Sequence, residues 1–129
     1  MIIKIKSDPK QLKTVRSKID EFCKNNFTEI DIFKVKLSVD EALQNIIRYA
    51  YEMDKSKDVI IEIKINSQSN FQIEIKDFGK QVPIESIKGR KLEDIKPGGL
   101  GVYFIKKSTK FCKYKHNDNG LGTTLTLIF

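Results

Sequence analysis

The chain alternates between two hydrophobic periods. In "IIKIK" (2–6) apolar residues fall at every second position, which predicts a short strand with one buried face. At "SDP" the period lengthens. Leu12, Val15, Ile19, Phe22 and Cys23 recur at helical spacing, behind a Ser or Asp cap with Pro9 in the first turn. A second stripe, Val35, Val39, Ala42, Ile46 and Ala50, predicts a helix from about Asp31 to Glu52. Period two returns in 58–66 and 70–77, two strands joined around "SQSN" as a hairpin. Residues 80–97 are rich in charge and read as a loop with one helical turn. A third helix covers about 100–108. Two last strands, about 110–116 and 122–129, flank "NDNGLG", a hairpin turn signal.

This order, β-α-α-β-β-loop-α-β-β, predicts an α+β fold. The strands after the first share one sheet, and three helices cover one of its faces. With 129 residues the chain suits a single domain, 1–129.

Strand parity then places polar residues under the helices. In "FQIEIKD" the apolar positions are Phe71, Ile73 and Ile75, so Asp77 belongs to the same inner face. In the last strand Thr123 shares a face with Leu125, Leu127 and Phe129. A buried carboxylate without a partner is costly, so Asp77 calls for one. The alternative is that the strand ends at Lys76 and Asp77 only opens a turn with Gly79. On the second helix Glu41 and Asn45 stack four residues apart at the border of the apolar stripe. They read either as a functional pair or as an ordinary pair on a solvated face.

"IKPGGLGVYFIKKS" (95–108) crowds glycines at a helix start. A helix N-terminus offers free N–H groups and partial positive charge, and glycines let backbone approach an anion closely. A flexible loop ending in a tight turn accounts for Gly98 and Gly99 but not for Gly101 inside the helix. The stretch is neither a P-loop nor a dinucleotide fingerprint.

Charge and cysteines narrow the class. The net charge is +7, and residues 106–115 hold Lys106, Lys107, Lys110, Lys113 and Lys115 without an acid. Such a patch suits nucleic acid, an acidic protein partner, or a sheet edge blunted by lysines. No stacked-aromatic or helix-turn-helix pattern supports nucleic acid. Cys23 and Cys112 lack neighbours at metal-ligand spacing and His116 is the single histidine, which argues against zinc and fits a reduced cytoplasmic protein. No stretch has the roughly 20 apolar residues of a membrane span, and "MIIKIKSDPK" is too short and charged for a signal peptide.

Together the pieces resemble the GHKL ATPases, the Bergerat-fold superfamily. "LSVDEALQNIIRYAY" (37–51) is similar to its N-box, "DFG" (77–79) to its Asp-x-Gly box, "PGGLGVYFI" (97–105) to its second glycine box and "GTTLTL" (122–127) to its closing Gly-Thr box. The four occur in the superfamily's order. The chain's length and "GRKLEDIKPGGLGVYFI" resemble most the bacterial anti-sigma factor serine/threonine kinases.

The resemblance implies a two-layer sandwich with a mixed, mostly antiparallel sheet, binding ATP and Mg2+. It implies that Asp77 accepts a hydrogen bond from the exocyclic amine of adenine, with Thr123 supporting a bridging water. Asn45 would coordinate Mg2+ and Glu41 would act as general base. Gly79, Gly98, Gly99, Leu100 and Gly101 would belong to the nucleotide-binding turns. Residues 80–97 would form a lid, with Arg90, Lys91 and Lys96 as candidate phosphate or partner contacts. The implied reaction is phosphoryl transfer to a serine on an anti-sigma factor antagonist, with a sigma factor as a second partner. Strand "MIIKIK" could pair across a homodimer. The chain departs from the resemblance at Tyr49, where these kinases often carry histidine. Competing readings are an ATP-dependent binding module without turnover, an orphan histidine-kinase-like domain, and a basic nucleic-acid-binding domain.

Overall fold

The computed structural model describes residues 1–26, 29–83 and 100–129. Among the described residues ten elements follow one another. Strand β1 (Ile2–Lys6) leads through a short 3-10 turn (Pro9–Gln11) to α1 (Leu12–Asn26) and α2 (Ile32–Asn45). A π-helical turn (Ile46–Ala50) extends α2. Strands β2 (Asp58–Ile65) and β3 (Phe71–Asp77), helix α3 (Leu100–Ser108), and strands β4 (Phe111–His116) and β5 (Thr123–Ile128) complete the chain.

The caps form where the sequence offers them. Asp8, not Ser7, accepts from the Lys10 N–H at 3.0 Å ahead of Pro9. Asp31 accepts from the Lys34 N–H at 3.2 Å and starts α2. The Ser7 hydroxyl instead donates to the Asp54 carbonyl at 2.5 Å, fastening the end of β1 to the approach to β2.

The five strands make one sheet in the order β1-β2-β3-β5-β4. Two expectations are corrected here. Strand β1 joins the sheet, pairing with β2 from Ile2↔Glu62 to Lys6↔Asp58. Every pairing is antiparallel, so the parallel component of a mixed sheet does not occur among the described strands.

One sheet face lies under the helices. Ile61, Ile63, Ile73, Ile75 and Leu127 are fully buried there against Val15 and Ile19 of α1, Val35 and Val39 of α2, and Ile105 of α3. Phe71 packs edge-on to Phe22 and Phe129 at centroid distances of 5.6 and 6.0 Å. The opposite face carries Glu74, Lys76, Lys113, Lys115 and Thr126 toward solvent. Strand β4 is one of the two sheet edges and turns Lys113 and Lys115 to solvent, where lysines can blunt an edge. Lys106 and Lys107 instead end α3, with Lys107 over the Tyr103 ring at 5.6 Å. Among the described residues no helix is long and apolar enough to cross a membrane.

Candidate functional site

The ends of three elements meet between the helical layer and the sheet. Asn45, Ile46, Tyr49 and Ala50 come from the end of α2. Ile75 and Asp77 come from β3, Thr123 and Leu125 from β5. Val102 of α3 and Tyr114 of β4 close the remaining walls, with Lys80 and Val82 following the Asp77 turn. They line a pocket with about 670 Å³ of atom-free space, open solvent included.

The pocket is mostly apolar, with few polar groups at its base and rim. That is the usual makeup of a small-molecule site. Asp77 is the deepest of them, 3% exposed. Its Oδ1 accepts from the Gly79 N–H at 3.0 Å. Burial pushes its carboxyl above the usual carboxylate range, against the lowering pull of the Gly79 and Thr123 N–H groups and of His116. The β3 alternation predicts this inward position: the strand runs through Asp77 instead of ending at Lys76, and the same buried side chain also opens the turn to Gly79. Thr123 is buried beside it, at the start of β5. Burial also pushes the Tyr114 phenol well up.

Asn45 is half-buried and faces the pocket from the last residue of α2. Glu41, one helical turn earlier, is half-buried against α3. A Cβ on Gly101 would meet the Glu41 carboxylate, with Oε2 the nearest atom and Cδ at 3.2 Å. Gly101 therefore gives room to Glu41, a reason the sequence did not reveal. Leu100 begins α3. Gly98, Gly99, Arg90, Lys91 and Lys96 lie outside the described residues, as does the expected lid beyond Pro83.

Gly79 is there for close approach. A Cβ would strike the Ala50 carbonyl oxygen and come within 2.8 Å of both the Ala50 carbonyl carbon and Tyr51 Cδ1. The Lys80 N–H donates to that same Ala50 oxygen at 2.9 Å. On the other side the Gly122 N–H donates to the Gly79 carbonyl at 2.7 Å. Gly122 has φ +82°, and a Cβ there would collide with the Asp77 carbonyl.

The sequence reading missed several residues that hold this turn. Asn117 Nδ2 donates to the Asp77 carbonyl at 2.9 Å, and the Thr124 hydroxyl donates to Asn117 Oδ1 at 2.8 Å. Gln81 Nε2 donates to the carbonyls of Asn117 and Gly122 at 3.1 and 3.0 Å. His116 Nε2 lies 2.7 Å from the Val82 carbonyl. "NDNGLG" announces a turn but not its docking onto the end of β3. The α2 extension also differs from the regular helix expected to Glu52. The Tyr51 N–H bonds the Ile46 carbonyl five residues back at 3.0 Å, the wider π turn that often sits at functional sites. Tyr49 of this turn is 50% exposed at the pocket rim, with Arg48 over its ring at 5.8 Å.

Residues 5–129 match a family model described as a histidine kinase-like ATPase domain. No curated protein matches the sequence. Among solved structures, the fold is similar to the RsbU and RsbW domains of Rv1364c from Mycobacterium tuberculosis, with TM-score 0.69 and 17% identity over 99% of this chain. This chain spans 31% of that structure's length. It is also similar to the SiaB–SiaC complex from Pseudomonas aeruginosa, with TM-score 0.71 and 12% identity over 100% of this chain and 89% of that one. The histidine kinase domain of the Erythrobacter litoralis EL346 blue-light activated kinase matches at TM-score 0.56 and 14% identity, over 94% of this chain and 59% of that one.

Proposed function

The chain belongs to the histidine kinase-like ATPase domain family, and from that premise we propose that it is a serine/threonine protein kinase of the anti-sigma factor type, acting on a partner protein. ATP binding follows from the family. The finer reading rests on residues of this chain, and one observation carries it: a carboxylate buried at the base of an apolar pocket, with the Glu41–Asn45 helix along its wall.

The residues fit an adenine nucleotide. Among the described residues no cation pairs with Asp77, whose charge is met by the peptide N–H groups of Gly79 and Thr123 and at longer range by His116. Such a carboxylate suits a neutral donor, and the exocyclic amine of adenine is one. Val82, Val102 and Leu125 offer apolar walls to a flat base. Asn45 would hold Mg2+ through its amide oxygen, a hard ligand for a hard cation. When bound, Mg2+ neutralises charge on the transferring phosphoryl group.

Glu41 stands one turn from Asn45 on the same helix and takes the proton of the incoming serine hydroxyl as general base. Gly101 leaves the space in which that carboxylate sits. The acceptor serine arrives on another protein. The similar structures, one with RsbU and RsbW domains and one a SiaB–SiaC complex, fit a protein partner, and the motif resemblance makes an anti-sigma antagonist the candidate substrate. A partner would be switched by differential affinity, since a ligand shifts a balance only as far as it prefers one complex.

The test is incubation of the chain with radiolabelled ATP and candidate antagonist proteins from the same genome, reading phosphoserine. Label on one partner, lost in Glu41→Gln while ATP still binds, is the expected result. Full ATP binding with no label on any partner would replace the kinase by an ATP-dependent binding module.

A further inference from the structure

Tyr51 stands just outside the pocket and is 7% exposed. Its hydroxyl donates to the Asp58 carbonyl, at the start of β2, at 2.5 Å. The same oxygen accepts the Phe78 N–H at 2.7 Å. Phe78 is the residue between Asp77 and Gly79, so one phenol ties the start of β2 to the middle of the Asp77–Gly79 turn. The ring edge completes the hold: a Cβ on Gly79 would come within 2.8 Å of Tyr51 Cδ1. Burial raises the phenol's pKa, which keeps the hydroxyl protonated and able to donate.

The turn has two supports of different kinds. On the β5 side it is held by Asn117 and Gly122, which bond the carbonyls of Asp77 and Gly79. On the α2 side the Phe78 N–H is taken by Tyr51 alone among the described side chains. Without the hydroxyl that N–H loses its acceptor, and the peptide that follows Asp77 is held by side chains through its carbonyl alone, at Asn117. The direction of the carboxylate, set partly by its bond from the Gly79 N–H, then loosens.

We propose that the Tyr51 hydroxyl is a positioning residue for nucleotide choice: by bridging the Asp58 carbonyl and the Phe78 N–H it aims the Asp77 carboxylate at the base. The inference rests on the reading of Asp77 as the adenine-recognising group. Its effect belongs to the base end of the pocket, since Glu41 and Asn45 lie on α2 ahead of the π turn.

The experiment compares ATP and GTP binding by calorimetry in the wild type and Tyr51→Phe, which keeps the ring and removes only the hydroxyl. The preference for ATP over GTP is expected to fall about fivefold to tenfold, the effect of one lost buried hydrogen bond. A purely structural tyrosine would lower the melting temperature and leave the ratio of the two affinities unchanged; that outcome overturns the proposal. A second measurement uses the wild type alone. The Phe78 amide should exchange with solvent as slowly as the β3 amides, and exchange at the rate of an exposed loop overturns the bridge itself. A wild type that binds neither nucleotide overturns the adenine reading, which separates that failure from the failure of Tyr51.

Discussion

Replacing Gly101 by alanine separates folding from chemistry. The new methyl would project at the Glu41 carboxylate, not at backbone, with Oε2 the nearest atom and Cδ at 3.2 Å. Restoring ordinary van der Waals separation moves that carboxylate by about 1 Å. Glu41 is the free end of a flexible side chain, so the move costs about 0.5–1.5 kcal/mol if it forces an off-rotamer angle. Against this, alanine gains up to about 1 kcal/mol over glycine in a helix. The two nearly cancel, and the melting temperature should stay within about 5 °C of wild type. Transfer is another matter. A catalytic group misplaced by about 1 Å can lose about 10²-fold in rate. ATP affinity should fall less than transfer, since the methyl meets the Glu41 side chain and not the lining of the base pocket. The assays are a thermal melt, ATP calorimetry and phosphorylation of a verified partner. Wild-type transfer in a folded Gly101→Ala variant would refute the claim that this glycine makes room for a catalytic Glu41.

Gly79→Ala should behave in the opposite way, because its methyl meets the Ala50 backbone; a loss of about 1–3 kcal/mol is expected from overpacking, measured by urea denaturation. Asp77→Asn should weaken ATP far more than GTP while raising the melting temperature of the nucleotide-free protein at neutral pH, since it removes a charge that burial disfavours. The same group sets a pH dependence. Its folded pKa is raised above the unfolded value of 3.8, so the folded state holds the proton more tightly. Stability through Asp77 therefore declines as pH rises from about that unfolded value through the folded one, then levels off. ATP affinity should run the other way, falling as acid protonates the acceptor, and at a higher pH than an ordinary carboxylate would show. Arg16 donates to Asp40 Oδ2 at 2.7 Å, while the buried Asp40 Oδ1 has no hydrogen-bond partner among the described residues. Arg16→Ala should cost about 1–3 kcal/mol, read from chemical denaturation.

What was legible in the sequence was what has a local period. The alternation of "FQIEIKD" and "TTLTL" turned Asp77 and Thr123 inward, and they are buried. The stripe of α1 predicted Leu12, Val15, Ile19 and Cys23 as core. What depends on contacts distant along the chain was not legible. A five-residue strand carries no sign of its partner, so the pairing of β1 with β2 appears only in the assembled sheet. The helical stripe predicts Ile46 and Ala50 as core, but the π turn breaks its phase. Ile47 and Tyr51 are buried, while Ile46 and Ala50 line the pocket. No spacing rule marks such a turn in advance. Gly101 was visible as an anomaly in a helix, yet its cause lies in the packing of α3 on Glu41 of α2.

The central claim is spatial: Asp77 recognises an adenine base in the pocket between α2 and the sheet. A crystal structure of the chain with ADP and Mg2+ tests it most directly. The exocyclic amine should lie within hydrogen-bonding distance of the Asp77 carboxylate. A base bound elsewhere, with Asp77 untouched, would contradict it.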